Sequence, residues 1–157
     1  MKALILAAGY AVRLKELASD MPKPLLEIGR RRIIDRLLDK IVNIKEVSSL
    51  YIITNDKFFE KFSDWLKNSK YHDKIVLLND GSVSNETRLG AIKDLEIAIR
   101  EGGIDDDLLV VAGDNLFEFD LNEFLKFAQA RREGTSVALY DIMDYKLAKR
   151  FGVVKAD

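Results

Sequence analysis

Two stretches near the amino terminus carry residue types suited to holding a polyphosphate. The first, Leu6-Ala7-Ala8-Gly9-Tyr10-Ala11-Val12-Arg13-Leu14, is rich in small side chains that leave backbone amides open to an oxyanion. Arg13 adds a planar fork of donors that matches phosphate oxygens. The second, Met21-Pro22-Lys23-Pro24-Leu25, clamps a lysine between the only 2 prolines of the chain. Each proline fixes its own φ and pushes its predecessor toward extended geometry, so the Lys23 ammonium projects from a stiff segment into the same region. This chemistry is charge neutralisation and alignment of an anion. No conspicuous Ser/His/Asp or Cys/His set accompanies it, and the sole histidine, His72, stands among Tyr71, Asp73 and Lys74 in a stretch that reads as an exposed polar loop.

Elements must bring these stretches together, and the hydrophobic pattern supplies them. Short apolar runs at 3–7, 50–54, 75–78, 108–112 and 136–140 read as strands covered on both faces. Between them, residues 33–42, 58–67, 87–100 and 121–132 repeat apolar positions every three or four residues, as helices do. Asp120, with Glu123 three residues on, reads as the cap of the last helix. Phe58, Phe62 and Trp65, with Phe59, read as a core-facing stripe. The alternation β-α-β-α-β-α-β-α-β predicts an α/β chain with one mainly parallel sheet and crossover helices.

Ligands of such sheets bind beyond the carboxyl ends of the strands. That edge collects the loop after the first strand, Asn79, Asp80 and Asn85 after the third, and Asp114 after the fourth. Asn79 stands where a side chain that reads a ligand's edge is expected, although Asp/Asn clusters also build turns. Asp114 reads on its own as a turn cap, as aspartates after strands often do. Arg30-Arg31-Arg32 reads as a solvated face at a helix start.

Composition bounds the rest. At 157 residues and 48% hydrophobic, the chain suits a single domain over 1–157. A formal charge of -1 offers no global field for nucleic acid or anionic lipid. With Cys 0 there is no disulfide framework and no thiolate metal site. No leader or bilayer-long apolar run is evident, so the expectation is a cytoplasmic protein without nucleic-acid or membrane partners.

The pair Leu6-Ala7-Ala8-Gly9-x-x-x-Arg13-Leu14 and Pro22-Lys23-Pro24-Leu25 resembles the signature of sugar-1-phosphate nucleotidyltransferases. Gly90-Ala91-Ile92, Gly113-Asp114-Asn115 and Phe151-Gly152-Val153-Val154 extend the resemblance along the chain. It implies a Rossmann-like three-layer α/β/α sandwich of the nucleotide-diphospho-sugar transferase type. It further implies condensation of a nucleoside triphosphate with a sugar-1-phosphate, dependent on Mg²⁺. In those terms Arg13 and Lys23 are catalytic phosphate contacts, and Leu6, Ala7, Ala8, Gly9, Tyr10, Ala11, Asn79 and Gly90 bind the nucleotide. Asp114 ligates the metal and Gly152 lies against the sugar. Ala11 and Val12 depart from the family's second glycine and hydroxyl, which points to altered turnover or selectivity more than to lost binding. The ending at 151–157 reads as a strand cut in mid-course. The expectation is therefore a nucleotide-binding part truncated before the sugar half is complete, its last edge unpaired or covered by another copy. A non-catalytic nucleotide-binding or regulatory module, and a cytidylyltransferase for phosphocholine or another phospho-alcohol, stand as alternatives.

Overall fold

The computed structural model describes residues 1–10, 20–131 and 134–154. The chain divides into two compact units, Met1–Phe119 and Asp120–Asp157. In the first, strands β1 (Lys2–Leu6), β4 (Ser49–Thr54), β5 (Ile75–Asn79) and β6 (Leu108–Ala112) form one sheet in the order β5-β4-β1-β6. Every pairing in it is parallel. A small antiparallel ribbon, β2 (Glu27–Ile28) with β3 (Arg31–Arg32), stands apart. It turns through Gly29 (φ 58) and Arg30 (φ 65), the left-handed pair that a two-residue hairpin loop requires.

Helices α1 (Ile33–Ile41), α2 (Asp56–Lys67) and α3 (Ala91–Glu101) connect the strands. Each turns an apolar stripe inward: Ile34, Leu37, Leu38 and Ile41 from α1, Phe58, Phe62 and Trp65 from α2. Ile97 and Ala98 of α3 pack with Leu4, Tyr51 and Ile53 on one side of the sheet. The central strand β1 is buried through Ala3, Leu4 and Ile5, as expected of a strand flanked by neighbours and covered by helices.

Two elements depart most from the sequence reading. Helix α3 starts at Ala91, four residues later than the periodicity suggests. Thr87 closes a turn by accepting from the amides of Val83 and Ser84, and Gly90 takes φ 86, outside helical space. Residues 136–140 are not a strand. Val137, Leu139 and Tyr140 are exposed, and among the described residues nothing pairs with them. An apolar run becomes a strand only where a sheet edge accepts its backbone, which propensity alone does not provide. Residues 151–154 are likewise irregular. The second unit contains α4 (Leu121–Gln129), capped by Asp120, whose carboxylate accepts from the Asn122 amide, and the short α5 (Tyr145–Ala148), capped by Asp144. Among the described residues no helix is long and apolar enough to cross a membrane.

Candidate functional site

Register fixes what meets at the carboxyl edge. Leu6 lies opposite Ile53 and Ala112, and Thr54 opposite Asn79, so the loops after all four strands emerge side by side. Backbone bonds carry the alignment one residue further: Ala7 donates to the Ile53 carbonyl at 2.8 Å, Gly113 to Leu6 at 2.8 Å and Asp80 to Thr54 at 2.8 Å. Two side chains escaped the sequence reading and anchor the loop after β1. Asn55, fully buried, donates to the Ala8 carbonyl at 2.9 Å while its oxygen caps α2 by accepting from Phe58 N at 2.9 Å. Thr54 Oγ1 donates to the Ala7 carbonyl at 3.4 Å. Their signal in the sequence was a hydroxyl and an amide at the end of an otherwise apolar strand.

A cavity of about 120 Å³ opens here, lined by Leu6, Ala7, Gly9, Lys23, Pro24 and Asp114. Five of the residues singled out from the sequence thus share one small space. Lys23 opens a 3-10 turn, Lys23–Leu25, that Pro22 and Pro24 stiffen. Its Nζ stands 3.3 Å from Asp114 Oδ2, and both side chains remain partly exposed. The two glycines at the site differ. A Cβ on Gly113 would stand 3.0 Å from the Leu6 carbonyl and 3.0 Å from Pro24 Cγ, so a side chain there would make the strand or the Pro-Lys-Pro segment give way by a few tenths of an ångström. Among the described residues, a Cβ on Gly9 would meet nothing within 4 Å, so no contact among them requires that glycine.

Next to this cavity lies an acidic line. Tyr10, packed against Phe58 with ring centroids 6.1 Å apart, has its hydroxyl 3.0 Å from Ser82 Oγ. The Ser82 hydroxyl proton goes to Asp80, at 2.7 and 3.0 Å from the two carboxylate oxygens, so Tyr10 is the donor to Ser82. Ser82 N also donates to Asp80 at 2.7 Å. Behind Asp80 sits Asp94, in the first turn of α3 and only 6% exposed. Burial, followed by the neighbouring Asp80 carboxylate, pushes the Asp94 carboxyl up to about 6. Burial first, with the Asp80, Asp56 and Asp94 charges adding to it, also raises the Tyr10 hydroxyl.

Asn79 is committed locally, donating to Asp56 Oδ1 at 2.8 Å and accepting from Gly81 N at 2.9 Å. Gly90 is exposed at the start of α3 with no side-chain cap on that helix. Gly152 lies in the second unit, in an exposed irregular segment. Arg13 and Ala11 lie outside the described residues. Arg31 is engaged rather than free: with Lys70 and Tyr71 it converges on Asp39, and these contacts, the Tyr71 hydroxyl foremost, hold that carboxyl well below its usual range. His72 is exposed, as expected.

Among the described residues Asp114 is the only carboxylate lining the cavity, and no group of three or more His, Cys, Asp or Glu that could hold a metal occurs among them. A single exposed carboxylate beside a phosphate-sized space fits a magnesium ion that takes its other ligands from phosphate and water.

The family model described as nucleotidyl transferase matches residues 2–157. A bifunctional GlmU protein of Methanocaldococcus jannaschii is 33% identical over 157 residues, covering 100% of this chain and 33% of that protein. A Sulfolobus acidocaldarius protein with the provisional name mannose-1-phosphate guanyltransferase is 29% identical, over 100% of this chain and 41% of its own length. The chain therefore spans between a third and about two-fifths of these relatives. A crystal structure from Bacillus anthracis, provisionally named a glucose-1-phosphate thymidylyltransferase, superposes with a TM-score of 0.71 at 23% identity, over 85% of this chain and 52% of that one. That likeness makes the parallel sheet and its helices a Rossmann-like nucleotide-diphospho-sugar transferase fold. With the match running from residue 2 to 157, the chain belongs to the nucleotidyl transferase family.

Proposed function

We propose that this chain forms the triphosphate-binding part of an enzyme that joins a nucleoside triphosphate to a sugar-1-phosphate. A phosphate oxygen of the sugar-1-phosphate attacks the α-phosphorus, the bond to the β-phosphate bridge breaks, and pyrophosphate leaves. The nucleophile is already anionic, so the protein's task is alignment and charge neutralisation, not proton removal. The observation that carries this reading is the cavity that Leu6, Ala7 and Gly9 line together with Lys23 and Asp114.

In this reading the open backbone at Gly9 admits the phosphates and Lys23 exchanges Asp114 for a phosphate oxygen. Arg13, the second cation of the sequence motif, serves the same end. Magnesium held at Asp114 would neutralise charge on the reacting and departing phosphates. Gly90 faces the base and Gly152 the sugar, and the setting is the cytoplasm, with self-association open. The sugar-1-phosphate names of the relatives support this choice of second substrate.

Calorimetry with a panel of nucleoside triphosphates tests it. Mg²⁺ raises triphosphate affinity in the parent chain and not in Asp114→Asn, because a neutral amide is a much weaker partner for a hard dication. Equal magnesium dependence in the two proteins would remove Asp114 from the metal site.

A further inference from the structure

Strand β4 ends on Thr54 and is followed by Asn55, and both are 0% exposed although each carries polar atoms. Burying such groups is costly unless their polar atoms find partners. Asn55 uses both ends of its amide. Its oxygen accepts from Phe58 N and its nitrogen donates to the Ala8 carbonyl, so partners that can only donate or only accept fix its orientation. Capping α2 needs the oxygen alone, which serine or aspartate would supply equally well. The nitrogen is left to act on the loop after β1, and Thr54 Oγ1 acts beside it on the Ala7 carbonyl.

The effect of these two bonds follows from the planarity of the peptide, in which a carbonyl and the amide of the next residue point in opposite directions. The end of β1 obeys this rule. The Leu6 carbonyl accepts from Gly113 on the β6 side, and Ala7 N donates to Ile53 on the β4 side. Further on, Thr54 and Asn55 draw the Ala7 and Ala8 carbonyls to the β4 side. The amides of Ala8 and Gly9 are thereby turned away from β4, which is the side where Gly113 and Asp114 follow β6. Among the described residues neither amide has a hydrogen-bond acceptor. Successive amides turned the same way make a donor pair for an oxyanion, and the cavity that Gly9, Lys23 and Asp114 line opens there.

We propose that Thr54 and Asn55 are positioning residues for the triphosphate: by holding the Ala7 and Ala8 carbonyls, they preset the Ala8 and Gly9 amides as donors to its phosphate oxygens. The role rests on the nucleotide reading of this edge. Both side chains are buried and act through the backbone of the loop. Their contribution is preorganisation, since donors held in place before binding need not be ordered by the ligand.

The test combines amide NMR spectra with calorimetry, using ATP, GTP, CTP, UTP and dTTP with Mg²⁺, on the parent, Thr54→Val, Thr54→Ser and Asn55→Ser. Thr54→Val keeps the shape of the side chain without its hydroxyl, and Thr54→Ser restores the donor. Asn55→Ser keeps an oxygen for the α2 cap and lacks the amide nitrogen. In the parent, the triphosphate that binds moves the Ala8 and Gly9 amide protons downfield, as new hydrogen bonds to phosphate do. Asn55→Ser binds it about tenfold more weakly, the loss of one charge-assisted hydrogen bond. Thr54→Val binds it about threefold more weakly, in keeping with the longer contact of 3.4 Å, and Thr54→Ser binds like the parent. Because Thr54→Val leaves the α2 cap in place, it reads the role independently of whether Asn55→Ser folds. Parent affinity in Thr54→Val, or Ala8 and Gly9 amides that do not move while a triphosphate binds, would overturn the positioning role and leave the nucleotide reading standing. A parent that binds none of these triphosphates would instead overturn the nucleotide reading, and this role with it.

Discussion

The two sides of the carboxyl edge solve opposite electrostatic problems. On the β6 side, Lys23 and Asp114 are of opposite sign, partly exposed and joined by one contact of 3.3 Å. On the β5 side, Asp80 and Asp94 are both acidic and buried, and Asp80 is joined through Ser82 to Tyr10. An exposed opposite pair contributes little to stability, so its members can exchange partners when a ligand arrives. A buried like-charged pair costs stability and moves only with its surroundings. In the proposed function the first side contacts substrate, whereas the second bears on stability.

The largest effect should come from the polar anchor on the buried side. Asn55→Ala removes the cap of α2 and leaves the buried Ala8 carbonyl without its donor, for a loss of about 3 kcal/mol in chemical denaturation. A loss under about 1 kcal/mol would mean that the β1 loop is held by other contacts.

Asp94→Asn should act in the other direction. The Asp94 carboxyl is raised from 3.8 to about 6 in the folded chain. Between those values the folded state binds more protons than the unfolded state, so stability falls as pH rises through that window, and the whole penalty is present above about 6. The amide does not titrate. The variant should therefore gain on the order of 2 kcal/mol over the parent at pH 8 and little below pH 4. Parallel stability curves from pH 3 to pH 8 would show that Asp94 is not strained.

The smallest stability effect belongs to the exposed side. Lys23→Met should change unfolding stability by no more than about 1 kcal/mol at any pH near neutrality. A larger loss would make the Lys23–Asp114 pair a structural feature and erase the contrast between the two sides.

Much of the arrangement was legible in the sequence, for reasons that can be located. Strands β1 and β4 are nearly all apolar because both faces are covered, β5 and β6 keep apolar runs although Val76 and Val110 are exposed, and the Pro-Lys-Pro segment announces its own stiffness. The edge residues Leu6, Ala7, Gly9, Lys23 and Asp114 follow from that strand order, and they do share one cavity. The ribbon at Glu27–Arg32 was missed because two-residue strands leave no periodic trace. Residues 136–140 misled because apolar composition says what could join a sheet, not whether an edge receives it. Asp94 was hidden for a different reason. It occupies a core position in the helical stripe, and only a buried carboxyl oxygen without a partner shows that the position is not ordinary core. Asp80 itself looked like a turn residue, which it also is, since it accepts from Ser82 N two residues on.

The central claim is that the edge bearing Leu6, Ala7, Gly9, Lys23 and Asp114 binds a nucleoside triphosphate. Titration calorimetry of the parent chain and Lys23→Met against ATP, GTP, CTP, UTP and dTTP with Mg²⁺ tests it most directly. The account predicts saturable one-to-one binding of at least one triphosphate by the parent. Because a charge-assisted contact contributes roughly 1.5 to 3 kcal/mol, Lys23→Met should bind that ligand about tenfold or more weakly while remaining as stable as the parent. Binding of no triphosphate, or equal affinity in the folded variant, would contradict it.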